Sequence, residues 1–91
     1  NNLLWVAHNQ IAMDALDFAD KLGFDRHEAA RIVAQCSGAS SVTEVYTRPY
    51  DEIVEYMRPF MVKDASAAAE AARSVGADLG ALGAAARDYI I

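Results

Sequence analysis

The opening stretch, NNLLWVAHNQIAMDALDFADKL, carries no formal charge before Asp14, and it limits what this chain can fold into. Leu4, Ala7, Ile11, Ala15, Phe18 and Leu22 recur at helical intervals, the spacing of one helix face. Ala12, Leu16 and Ala19 widen that stripe. Gln10, Asp14, Asp17 and Lys21 make a polar strip in the second half only. In the first half, Leu3, Leu4, Trp5, Val6, Ala7 and Ile11 between them face every direction. A helix that is apolar all round must be covered all round. Such a helix is roughly 30 Å long, enough to cross a small domain. The stretch is therefore expected to be the central helix of an all-α bundle, with its first half also packed on something outside that bundle. The chain enters this periodicity at once, as a chain divided within or just before a helix would.

The 91 residues make one helical domain with a single modest core. The hydrophobic share of 54% overstates that core, because alanine supplies much of it. A net charge of −5 and a pI near 4.7, with no Lys/Arg cluster, argue against nucleic acid, which requires a basic stripe. No apolar run is long enough for a membrane span, and no secretory leader is visible. A cytoplasmic setting is expected. The lone Cys36 permits no internal disulfide and no thiolate metal site, and it reads as a small buried apolar side chain.

Gly23 should stop the first helix as a left-handed cap. Asp25 and Glu28 form a capping pair for a second helix through Ala29, Ala30, Ile32, Val33 and Cys36, ending at Ser37-Gly38. Ser41 and Glu44 repeat the pattern for a short third helix, Val42 to Thr47, closed by Pro49. Residues 51–57 read as a helical turn or two that Pro59 interrupts. A fourth helix is expected from Met61 to Val75, capped by Gly76, and a fifth from Leu79 to Tyr89, capped by Asp78. The expected fold is an all-α, five-helix bundle around a long N-terminal central helix. The many alanines of the last two helices favour helix and close packing, and predict that both lie against the central one as an antiparallel pair. Gly80 and Gly83, costly inside a helix, predict close backbone contact there.

From the residues alone, little chemistry emerges. His8 reads as a core or interface histidine and His27 as solvated. Asp51, Glu52 and Glu55 read as a solvated acidic face. Tyr46, Tyr50 and Tyr56 share the irregular middle with both prolines, where a groove could form.

Short motifs in order go further. Asn1-Asn2-Leu3-Leu4 opens the chain; Met13-Asp14-Ala15-Leu16, Gly23-Phe24-Asp25 and Ser37-Gly38-Ala39-Ser40 follow; Lys63-Asp64 begins an alanine-rich segment. This order resembles the C-terminal helical domain of the β-hydroxyacid dehydrogenases, the 3-hydroxyisobutyrate dehydrogenase and 6-phosphogluconate dehydrogenase-like superfamily, over essentially the whole chain. In that family a Gly-rich turn and a catalytic lysine precede an Asn-Asn pair, a long helix with Glu-Ala-Leu, a Gly-hydrophobic-Asp turn, a Ser-Gly segment and a Lys-Asp-Leu helix. Asp14 replaces the usual glutamate, Ala65 stands where leucine follows Lys-Asp, and a proline common near Leu79 or Gly80 is missing. These departures bear on substrate class.

The resemblance implies roles residue by residue. The catalytic lysine would lie three positions before Asn1, outside this chain. Asn2, one helical turn after it on the same face, would position the substrate. Lys63 would reach the nicotinamide of NAD or NADP, Asp64 would sit at the substrate pocket, and Tyr56 would line it where the family often has phenylalanine. An N-terminal Rossmann domain, absent from this chain, would hold the cofactor, and this helical domain would close the cleft over a small hydroxy-acid substrate. This chain alone should then be inactive and bind NAD weakly. The apolar first helix predicts a homodimer in which two first helices pack antiparallel about a two-fold axis. The competing reading is a stand-alone helical interaction module without catalysis.

Overall fold

The computed structural model describes residues 1–47 and 51–90. Among them are five helices and no strand: α1 (Asn2–Lys21), α2 (Arg26–Val33), α3 (Ser41–Val45), α4 (Asp51–Ser74) and α5 (Gly80–Ile90). The expected stop at Pro49 and the expected groove residue Tyr50 lie outside the described residues.

Helix α1 is the axis on which all the other helices pack. On one side Ala12 and Leu16 meet Ala30 of α2 and Val42 and Tyr46 beside α3. On another, Val6 meets Ala65 of α4 and Ala86 and Tyr89 of α5. Trp5 and Met13 border both clusters and join them. The two alanine-rich helices lie mainly against α1 and touch each other little. Ala65 and Ala86 allow that approach because neither carries bulk beyond Cβ.

The face that α1 buries is not the one its strongest apolar periodicity indicates. Val6, Ala7, Asn9, Ala12 and Leu16 are buried, whereas Leu4, Ile11, Phe18 and Leu22 are 48, 55, 67 and 60% exposed. The reason is Asn9, a polar residue at the centre of the core face. The Asn9 amide donates to the Trp5 carbonyl at 3.0 Å, and its oxygen accepts the Tyr46 hydroxyl at 2.6 Å. With its hydrogen bonds made, the asparagine is buried without the usual penalty. The first half of α1 is correspondingly less bare than expected. Val6 and Ala7 are buried, Leu3 and Trp5 are half-buried, and Leu4 and Ile11 face outward.

The expected glycine stops are present. At the end of α1, Gly23 takes φ +91°, with Gly23 N–H on Asp20 O and Phe24 N–H on Ala19 O. Gly76 repeats the arrangement after α4 at φ +67°, on Arg73 O and through Ala77 on Ala72 O. Asp25 caps α2 through the Glu28 N–H, as expected.

Other boundaries move. Helix α2 ends at Val33, and the amides of Gln35 and Cys36 turn back to Ile32 and Val33 in tighter turns. Cys36 is therefore exposed, not buried, with its thiol 3.2 Å from the Ile32 carbonyl. The cap of α3 is Ser40, not Ser41. Its hydroxyl accepts the Thr43 N–H at 3.1 Å and the Thr43 hydroxyl accepts the Ser40 N–H at 2.7 Å, so threonine takes the part assigned to Glu44.

Two corrections concern proline and glycine. Pro59 does not interrupt α4, which runs unbroken through it. Proline removes the hydrogen bond to Glu55 O, and both residues are exposed, so the freed carbonyl is open to solvent. Gly80 has open space around it and is required for its φ of +57° at the entry to α5, not for close approach. There Asp78 accepts the Gly80 N–H at 2.8 Å, in the capping role expected of it. At Gly83 a Cβ would meet the Leu79 Cβ at 2.9 Å, so that contact is local to the turn.

Candidate functional site

Continuity of α4 through Pro59 gives the site its shape. Tyr56, Phe60 and Asp64 recur every fourth residue, and Lys63 falls within the same sector, so all four share one side of a single helix. The N-terminal turn of α1 crosses this side at Asp64. There the Asn2 amide donates to Asp64 Oδ2 at 2.6 Å, and Asn1 lies behind it with its amide 3.4 Å from Asn2 Oδ1. The hydrogen bond joins the two residues, 62 positions apart, that the resemblance assigns to the substrate pocket.

Asp64 takes one N–H of the Asn2 side chain and so fixes the amide plane, leaving the second N–H for an acceptor on a ligand. The hydrogen bond is charge-assisted and short, which suits a positioning pair. Lys63, beside Asp64 in sequence, is exposed, and it makes no ion pair among the described residues. An unpaired ammonium one position from that carboxylate, on the same side of α4, has the chemistry to meet the polar edge of a nicotinamide or the charge of a small acid.

Tyr56 stands apart from the other three. It lies two turns from Asp64, roughly 12 Å along the helix axis, and is 71% exposed. Its ring rests on Phe60, with centroids 5.8 Å apart at an interplanar angle of 52°. Together the two rings form an aromatic shelf leading to the Asn2–Asp64 pair. Phe60 was not selected from the sequence. A helix broken at Pro59 hides the four-residue step that links it to Tyr56 and Asp64.

The remaining candidates fall elsewhere. His8 is half-buried on α1. His27 is exposed, yet its Nδ1 lies 3.3 Å from the Tyr46 carbonyl, which ties α2 to the end of α3. Glu52 and Glu55 are exposed and have no ion-pair partner among the described residues. Tyr46 is a core residue, not a groove residue. No group of three His, Cys, Asp or Glu side chains is arranged for a metal ion among the described residues, and no described helix is long and apolar enough to cross a membrane.

No curated protein and no solved structure matches the chain. Residues 1–90 match the family model described as NAD-binding of NADP-dependent 3-hydroxyisobutyrate dehydrogenase. That match takes in both strands of the site, the Asn-Asn opening and the Lys63-Asp64 pair. The chain belongs to this NAD-binding family of the 3-hydroxyisobutyrate dehydrogenase-like proteins, within the β-hydroxyacid dehydrogenases.

Proposed function

We propose that this chain is the C-terminal helical domain of an NAD- or NADP-dependent dehydrogenase acting on a small 3-hydroxy acid of the 3-hydroxyisobutyrate type. The observation that carries this reading is the 2.6 Å hydrogen bond between Asn2 and Asp64, with Lys63 exposed beside it. Asn2 orients the substrate through its second amide N–H, and Asp64 holds that amide in place. Lys63 meets the nicotinamide end of the cofactor. Tyr56 and Phe60 shield the approach from water on the α4 side. When bound, the cofactor supplies hydride chemistry at the substrate carbon, and these residues supply orientation and charge.

In this reading the lysine that handles the hydroxyl proton precedes Asn1, and a dinucleotide-binding domain closes over the α1–α4 junction. The chain alone then turns over no substrate. The exposed outer side of α1 supports a second, structural role as the contact of a homodimer.

The coding region immediately upstream of Asn1 provides the test. It should encode a G-x-G-x-x-G turn and, three positions before Asn1, a lysine. The joined product should reduce NAD or NADP with a 3-hydroxy acid and lose that activity in Lys63→Ala. Turnover by the present chain alone, or an upstream region without that turn and lysine, would overturn the proposal.

A further inference from the structure

The outward side of α1 has a more definite pattern than an apolar patch. Leu4, His8, Ile11, Ala15, Phe18 and Leu22 alternate steps of four and three residues, the a/d spacing of a two-stranded coiled coil. Leu4, Ile11, Ala15, Phe18 and Leu22 are exposed, and His8 is half-buried. The folded domain has therefore used a different face of α1 for its core and left an intact heptad seam outside.

Two features of this seam indicate what covers it. The first is its position. Asn2 lies on the core-facing side of α1 in line with Val6, Asn9 and Leu16, nearly opposite the seam on the helix wheel. A domain that closes over the Asn2–Asp64 pair approaches from the other side and leaves the seam uncovered. The second is its symmetry. Antiparallel coiled coils place an a residue against a d residue, and every such pair here is centred on position 13.

We infer that a second copy of this chain packs on the seam, antiparallel, with the two-fold axis passing between Ile11 and Ala15, level with position 13 on the outer side of α1. In this register Leu4 meets the partner's Leu22, His8 meets the partner's Phe18, and Ile11 meets the partner's Ala15. Large residues meet at the ends and a small one meets isoleucine near the axis, so the helices approach most closely at the axis. The exposed fractions of Leu4, Ile11, Phe18 and Leu22 amount to roughly 500 Å² per copy, which for two copies reaches the lower size of a specific interface. The Asp14 carboxylates lie on the rim near the axis. Each accepts its own Gln10 amide at 3.0 Å and remains in water, where salt screens their repulsion.

This inference rests on the homodimer reading above and adds its register. The experiment uses two single-cysteine proteins, Leu4→Cys and Leu22→Cys, each in a Cys36→Ser background. Both introduced positions are exposed, so the fold tolerates them. After mixing and mild oxidation, the mixed disulfide between positions 4 and 22 should exceed either self-linked species by about tenfold, since in this register like positions lie far beyond disulfide reach. Ile11→Arg, at another exposed position, should sediment as a monomer with its helical circular dichroism unchanged. Predominant self-linking of Leu4→Cys, or a dimer with no mixed disulfide, would overturn the register while leaving the homodimer reading intact. A wild-type monomer at micromolar concentration, or an Ile11→Arg dimer, would overturn both. Neither result depends on the dehydrogenase assay.

Discussion

Asn2 and Asp64, 62 positions apart in sequence, meet through a hydrogen bond of 2.6 Å at the junction of α1 and α4. The carboxylate has no cation bound to it among the described residues. The interaction therefore orients the Asn2 amide without neutralising the charge of Asp64. Asp64 is exposed and Asn2 half-buried, so under the proposed function both can be met by a ligand.

In the intact dehydrogenase, Asn2→Ala should lower kcat/KM on the order of 100-fold, through loss of a positioned hydrogen bond at the reacting centre. Asp64→Ala should cost about tenfold by releasing the amide, and the double variant should be little worse than Asn2→Ala alone. Steady-state kinetics on the three variants decide this. Multiplying effects would show that Asp64 acts on the ligand independently of Asn2.

The sequence was legible where one residue type has one structural use. Gly23 and Gly76 at positive φ and Asp25 as a cap fall where the pattern places them, and so does the central α1. It was misleading where a residue's role depends on a distant partner. Asn9 looks like an interruption of the apolar pattern until Tyr46 is placed against it, so the exposed seam was read as the core face. Pro59 looks like a helix end until its surroundings are seen to be solvent, and with that break the aromatic pair of Tyr56 and Phe60 disappears from view. The site residues Asn2, Lys63 and Asp64 were reached through the resemblance of motif order. Periodicity alone does not distinguish Lys63 from any exposed lysine.

The buried Tyr46–Asn9 hydrogen bond should dominate the stability of the α1–α3 contact. Tyr46→Phe leaves Asn9 Oδ1 buried and unpaired, at a cost of about 1–3 kcal/mol. Adding Asn9→Leu removes the stranded amide and should recover part of that loss. Urea unfolding of both variants measures the difference, and a Tyr46→Phe protein as stable as wild type would contradict it.

Tyr89 presents the opposite case. Its hydroxyl is buried with no hydrogen-bond partner among the described residues. Its ring meets Trp5 edge-on, and Arg58 lies 4.7 Å above it while donating to the Tyr89 carbonyl. Tyr89→Phe keeps both ring contacts and removes only the unpaired hydroxyl, so stability at neutral pH should be unchanged or rise by up to about 1 kcal/mol. Burial also pushes the phenol above its ordinary value of 10.0, against the lowering effect of the Arg58 charge. A raised folded pKa means that the folded state holds the proton more tightly. Its contribution is complete below the unfolded value near 10 and is lost as pH rises through the folded value. Wild type should therefore lose stability in strong alkali by a component that Tyr89→Phe lacks. Equal alkaline losses in the two proteins would show that the phenol does not titrate with folding.

Pro59 lies near the middle of a 24-residue helix, away from either end where proline is tolerated without loss. It is exposed, and the helix hydrogen bond to Glu55 O is missing. Pro59→Ala should restore that bond and relieve the ring's crowding of the preceding turn, with a gain of up to about 3 kcal/mol. The same change frees the backbone between Tyr56 on one side and Lys63 and Asp64 on the other, which the proline ring restricts. In the proposed site that restriction holds the aromatic shelf in place relative to the Asn2–Asp64 pair. Thermal unfolding and kinetics on one variant separate these effects. A more stable protein with a raised KM in the intact enzyme is the expected outcome, and a destabilised Pro59→Ala protein would mean that α4 needs proline at this point in order to pack on α1.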